Sequence, residues 1–290
     1  MKNTGFKTAA LRERHIFASM PALLWQIVFF YVPLFFILVV SVLKRLEYSI
    51  FDNLTVQHYK ALFDPAYYKI ISRSLLLAFS NSILCFAIAY PIAYFLVFRI
   101  KHLKSLMIFL LVLPFWANFL VQVYAWFFVL ERGGFLNSAL LGLGIISEPL
   151  HMLNTPFAIY IVMLFCYLPF MIMPIYSSLE GINKSLYEAS SDLGASSWQT
   201  LFRITLPLSS SGIRTGFFLV FIPSFGEFIV PTLLGGGKQM FVGSLISYFF
   251  IETRSIFLGA AFTCVSGFML LVAIALLTVF LRLVFGRDRA

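Results

Sequence analysis

Glu188-Ala189-Ser190-Ser191-Asp192-Leu193-Gly194-Ala195-Ser196-Ser197-Trp198-Gln199-Thr200-Leu201-Phe202-Arg203-Ile204-Thr205-Leu206-Pro207 is a polar stretch set between two long apolar runs, Pro156–Leu179 and Gly212–Leu234. Runs of that length cross a bilayer, but a bilayer gives the stretch between them no reason to be helical. It nevertheless carries helix punctuation. Asn183 or Ser185 can cap a helix that runs to Leu193, with Gly194 as its stop. Ser196 can open a second helix, with Gln199 as its capping-box partner. Pro207 then ends the turn Ile204-Thr205-Leu206, and Ser209 to Ser211 cap the next span. The reading is two short helices at an angle, with Ala189, Gly194 and Ala195 at the bend. Such a segment reads as a rigid surface offered to something on one side of a membrane.

Working outward, six runs are uncharged or nearly so: Ala22–Leu43, Leu75–Phe98, Ser105–Leu130, Pro156–Leu179, Gly212–Leu234 and Ile256–Leu281. Each has 22 to 26 residues, roughly 33–39 Å as helix, enough to span with some tilt. The 290-residue chain is 61% hydrophobic and 11% charged, with a mean hydropathy of +0.94. A soluble domain is about half apolar and a quarter charged. Strands of a barrel would be short and alternating, so the expected fold is all-α and polytopic. The first run is too long and begins too late for a cleavable leader.

The net charge of +9 reads as loop charge on the inner side of a membrane, not as a nucleic-acid surface. Thirteen of the twenty-one Lys and Arg fall on one side if the N-terminus is inside. Both termini are therefore expected in the cytoplasm, with residues 1–21 as an inner segment, 22–285 as the span domain and 286–290 as a tail. Residues 44–74 read as an outer loop, with a short surface helix and turns around Asn53–Tyr59 and Asp64-Pro65. Cys85, Cys166 and Cys264 sit inside apolar runs and imply neither a disulfide frame nor a metal site. Pro33, Pro91, Pro114, Pro169, Pro174, Pro223 and Pro231 lie in the spans, either as ordinary kinks or as kinks that shape a pathway.

Glu227 is the one carboxylate inside a run. Either it is a buried acid bonded to a neighbouring helix, or it is an anionic point for a cationic solute. Trp116, Tyr124, Trp126 and Tyr167 offer aromatic faces, for ammonium groups by cation–π contact or for an interfacial belt. Glu188 has two readings as well: it can complete a capping box with Ser185, or it can meet a partner. No phosphate loop is present. Around Gly235-Gly236-Gly237-Lys238-Gln239, Thr232 stands where the first Gly belongs and Gln239 where a Ser or Thr belongs.

The spacing Glu188-Ala189, Gly194, Ile204, Leu206-Pro207 resembles the cytoplasmic loop signature of permease subunits of bacterial ATP-binding-cassette importers, with Ser190 replacing an Ala. Leu113-Pro114-Phe115-Trp116, Leu168–Glu180 and Gly226–Gly236 are similar to the first permease subunit of spermidine/putrescine importers. Relatives often carry an acid where this chain has Thr232. The resemblance implies a coupling loop at 180–211 between spans four and five. It implies that Glu188, Ala189, Asp192, Leu193, Gly194, Ala195, Ile204, Leu206 and Pro207 dock on an ATP-hydrolysing subunit. It further implies a pair of ATP-binding subunits holding ATP and Mg, a second permease subunit and a soluble solute-binding protein outside, in a bacterial inner membrane. This chain itself would bind no cofactor and catalyse nothing. Glu227, Trp116, Tyr124 and Tyr167 are the candidate solute pathway. The rivals are an importer of ferric iron or an organic amine, and a self-powered secondary transporter or channel.

Overall fold

The computed structural model describes residues 20–44, 54–100, 102–183 and 185–285. The basic residues at 2, 7, 12, 14, 45, 101, 184, 287 and 289 that weigh on orientation lie outside them, as does Asn53. Among the described residues the secondary structure is helical apart from one backbone bridge, Leu43 to Leu54.

The helices are α1 (Met20–Ser41), α2 (Gln57–Ala61), α3 (Pro65–Phe98) and α4 (Lys104–Trp116, its last turn tightened). Next come α5 (Phe119–Leu130), α6 (Phe135–Gly142), α7 (Pro156–Glu180), α8 (Ser185–Asp192) and α9 (Ser197–Leu208). Last are α10 (Ser210–Gly226), α11 (Ile229–Leu234), α12 (Val242–Glu252) and α13 (Ile256–Phe285). By length and composition α1, α3, α5 with α6, α7 and α13 can each cross a membrane, and the pair α9–α10, bent by 66°, makes a sixth.

Two expected runs are not continuous. Ser105–Leu130 breaks at Ala117 and Asn118, both extended, and the Asn118 side chain accepts from the Leu120 amide to start α5. Gly212–Leu234 breaks at Glu227, which is extended between α10 and α11. Pro114 and Asn118 in one run, and Glu227 in the other, replace the intrahelical bonding that would have carried the helix onward. Helix α3 begins at Pro65, ten residues before its apolar run, so Pro65 opens a helix instead of closing a turn.

The chain divides into two units. In residues 1–64 with 249–265, His58 Nε2 lies 3.2 Å from the Leu43 carbonyl and its ring stacks on Phe257 at 5.9 Å. The Ser41 and Tyr59 hydroxyls meet at 2.7 Å. In residues 65–248 with 266–290, α3, α7 and α10 pack on one another. Leu77, Ala78 and Ala93 of α3, Val162, Met171 and Ile175 of α7, and Ile213, Val220 and Phe221 of α10 form the buried seam.

Close approach depends on Gly212 and Gly216, four residues apart on one face of α10. A Cβ at Gly212 would collide with the Pro174 carbonyl and lie 2.6 Å from Ser178 Cβ; one at Gly216 would lie 2.7 Å from Met171 Sδ. Small residues at this spacing let helix backbones touch inside a bilayer, where dispersion contacts replace the hydrophobic driving force. Buried polar pairs cross the seam, among them Asn81 Nδ2 donating to Ser224 Oγ at 3.0 Å.

Candidate functional site

The segment from Glu180 to Ser211 folds as two helices joined by a tight corner. Asn183, not Ser185, supplies the opening cap: its side chain accepts from the Ser185 amide at 3.1 Å. Glu188 is exposed on the first turns of α8. Gly194 ends α8 with φ +77°. Its N–H donates to Ser191 O, and that of Ala195 to Ser190 O, the paired bonds of a left-handed helix stop. Ser196 and Gln199 form the expected reciprocal capping box, at 3.3 and 2.8 Å.

Pro207 behaves otherwise than expected. Helix α9 runs on through it to Leu208, and a second bend, into α10, falls at Ser209. That hydroxyl donates back to the Thr205 carbonyl at 2.7 Å and does not cap α10. A hydroxyl bonded back one turn is a recognised cause of bending.

The corner is braced from inside. Ser190 is buried; its hydroxyl lies 3.0 Å from Thr200 Oγ1 and donates to the Tyr187 carbonyl. Tyr187 packs its ring edge on Phe98 at 4.7 Å, which ties α8 to the end of α3. Burial raises its phenol pKa above the ordinary value. Ser190→Ala removes bonds worth about 1 kcal/mol in total, so opening of the corner should become roughly fivefold more frequent. Limited proteolysis within residues 185–208 measures that rate, and an unchanged rate means the hydroxyl does not brace the corner.

Outward, Glu188, Ala189, Asp192, Leu193, Gly194 and Pro207 are exposed, while Ala195, Ile204 and Leu206 are half-buried. Trp198 and Phe202 stack at 5.9 Å and are also exposed. Leu193 is also exposed, at 88%. The sequence signal for Trp198 and Phe202 was an aromatic pair at one-turn spacing in an otherwise polar stretch.

A second feature lies in the same unit. A cavity of about 380 Å³ is bounded by Phe115 of α4, Phe119 and Gln122 of α5, Phe170 and Tyr167 of α7, and Glu227. Glu227 is 8% exposed. Its Oε1 accepts from the Ile229 and Val230 amides at 2.9 and 3.3 Å, and its Oε2 from the Tyr167 hydroxyl at 2.6 Å. The carboxylate thus caps α11 at the helix's positive end. Three of its roughly four acceptor directions are filled.

Of the predicted pathway residues, the structure brings Glu227 and Tyr167 together. Trp116 and Tyr124 do not line the cavity; they are 73% and 49% exposed, because the break at Ala117 turns Trp116 away to an edge contact with Phe109. Gln122 takes their place. It donates to the Pro114 and Ala117 carbonyls at that break, the former also taken by the Ala117 amide, and accepts from Cys166 Sγ at 3.8 Å. A side-chain amide inside an apolar run, one turn after Asn118, was its sequence signal.

The comparisons accord with these features. A family model described as binding-protein-dependent transport system inner membrane component matches residues 8–287. The spermidine/putrescine transport system permease protein PotB of Escherichia coli (strain K12) is 39% identical over 253 residues, covering 86% of this chain and 92% of that protein. PotB of Salmonella typhimurium (strain SL1344) is likewise 39% identical, with 86% and 88% covered. Among solved structures, a bacterial ABC transporter involved in the import of the acidic polysaccharide alginate superposes with a TM-score of 0.74 at 17% identity, over 96% of this chain and 98% of that one. That likeness carries the fold alone. The chain belongs to the family of binding-protein-dependent transport system inner membrane components, multi-pass permeases of ABC transporters.

Proposed function

We propose that this chain is a permease subunit of an ATP-driven importer that moves polyamines, such as spermidine or putrescine, from a soluble binding protein into the cytoplasm. The observation that carries the substrate class is the 39% identity to spermidine/putrescine permeases over most of both chains. The cavity supports it: one carboxylate faces aromatic rings, a setting suited to an alkylammonium. The α8–α9 corner, within residues 180–211, is the surface that docks on a separate ATP-binding subunit pair. ATP and Mg belong to that pair, and a second, related permease subunit completes the path. Residues 22–285 form the span domain, with 1–21 and 286–290 in the cytoplasm.

Glu227→Gln keeps the shape and the two backbone bonds but removes the charge. A charge-assisted contact is worth about 1.5–3 kcal/mol, so putrescine uptake should fall roughly tenfold or more while assembly and basal ATP hydrolysis persist. Glu227→Ala should instead lower the folded yield, because α11 loses its cap and the Tyr167 hydroxyl its acceptor. Wild-type uptake by the Gln variant would reject the pathway role and leave the family assignment standing.

Orientation has its own test. A reporter active only in the periplasm should be silent when fused after Ala290 and active when fused near Gly236. The reverse pattern overturns the placement of the docking corner on the cytoplasmic side.

A further inference from the structure

We infer that Lys104, Tyr176 and Glu180 form an inner ammonium-exchange gate, in which an incoming alkylammonium displaces the side chain of Lys104. The inference rests on the polyamine reading. Lys104 opens α4 and Glu180 closes α7, and their charged groups meet at 2.7 Å. The Lys104 ammonium also lies 5.0 Å from the centroid of the Tyr176 ring. A carboxylate on one side and an aromatic face on the other is the chemistry that recognises a primary ammonium. Here a lysine of the protein already occupies it.

Position gives the cluster its role. Helices α4 and α7 bound the cavity through Phe115 and Phe170, whose rings meet at 4.8 Å. Tyr167 holds Glu227 at that level. Nine residues further along α7, about 13 Å of helix, stands Tyr176, and the ion pair closes the same seam. The docking corner begins just beyond it. A cation leaving Glu227 along the seam therefore meets Glu180 next.

The lock is built to exchange. The side chains of Lys104 and Glu180 are 25% and 51% exposed, and an ion pair so wetted contributes little net stability. An arriving ammonium replaces one N–H···O contact by an equivalent one. Lys104, on its flexible stem, is released as the cation binds and returns as the cation leaves. A permanent structural strut would be better served by a buried, bidentate Arg.

The test uses the complete transporter in proteoliposomes, with the docking side and ATP inside, and follows putrescine uptake against putrescine preloaded within. Lys104→Met removes the internal competitor, so inhibition by internal putrescine should set in at several-fold lower concentration. Glu180→Gln should slow uptake and abolish that inhibition. Equal inhibition of wild type and both variants overturns the gate. So does recovery of wild-type behaviour in the swapped pair Lys104→Glu with Glu180→Lys, because only a structural ion pair survives exchange of its ends. A wild-type complex that moves neither putrescine nor spermidine overturns the polyamine reading, and the inference with it.

Discussion

Gly194→Val is expected to insert at wild-type levels and to lose transport. The residue sits at φ +77° and closes α8. A β-branched residue there costs about 1–2 kcal/mol, since its Cβ crowds the following carbonyl. That shifts the balance between the bent corner and a straightened one by roughly tenfold. A Cβ at Gly194 has nothing within 4 Å, so the strain is conformational and the rest of the fold is spared. Uptake by the assembled complex should fall about tenfold, while ATP hydrolysis by the partner continues without stimulation by the loaded binding protein. Parallel measurement of hydrolysis and uptake separates the outcomes. If the two fall together, the corner serves assembly instead of coupling; if neither changes, it serves neither.

The second large effect is on the fold itself. Gly212→Leu places side-chain atoms where α10 meets the backbone of α7 at Pro174. A carbonyl cannot move aside as a side chain can, so the two helices must separate. Overpacking costs about 1–3 kcal/mol where side chains yield, and this site should lie at or above the top of that range. The amount of detergent-soluble, folded protein should drop about tenfold. Gly216→Ala is the milder comparison, because its new methyl meets first the flexible Met171 thioether, which adapts readily, and the Met171 carbonyl only at 3.2 Å. A Gly212→Leu variant that melts like wild type would mean the two helices do not approach as closely as described.

Periodic, uninterrupted apolarity was readable. The runs at Leu75–Phe98, Pro156–Leu179 and Ile256–Leu281 each fall inside one helix. Hydropathy did not show where a helix stops inside an apolar run. Breaks at Ala117 and Glu227 depend on side chains that bond the backbone, and average apolarity is blind to them. It was equally blind to the polar start of α3, where Lys69 and Arg73 hide a helix that begins at Pro65, and to α12, whose Gly243 and Ser244 interrupt no helix. The α8–α9 corner was largely legible because caps are local chemistry: Asn183, Gly194, Ser196 and Gln199 each act within a few residues, whereas Pro207 and Ser209 depart from what their types suggest. The cavity was half legible. A carboxylate announces itself, but the partnership of Glu227 with Tyr167, sixty residues away in sequence, exists only once α7 and α10 are packed.

If the α8–α9 corner docks as proposed, the elbow at Ser209 would act as a crank. A thrust delivered along α9 meets α10 at 66°, so about 0.4 of it (the cosine) runs along that span and about 0.9 (the sine) runs across it, provided both arms stay rigid. Pistons need alignment, and this joint denies it. On that docking, energy entering at the corner would leave mainly as a sideways swing of α10, with Glu227 following the far tip of the arm.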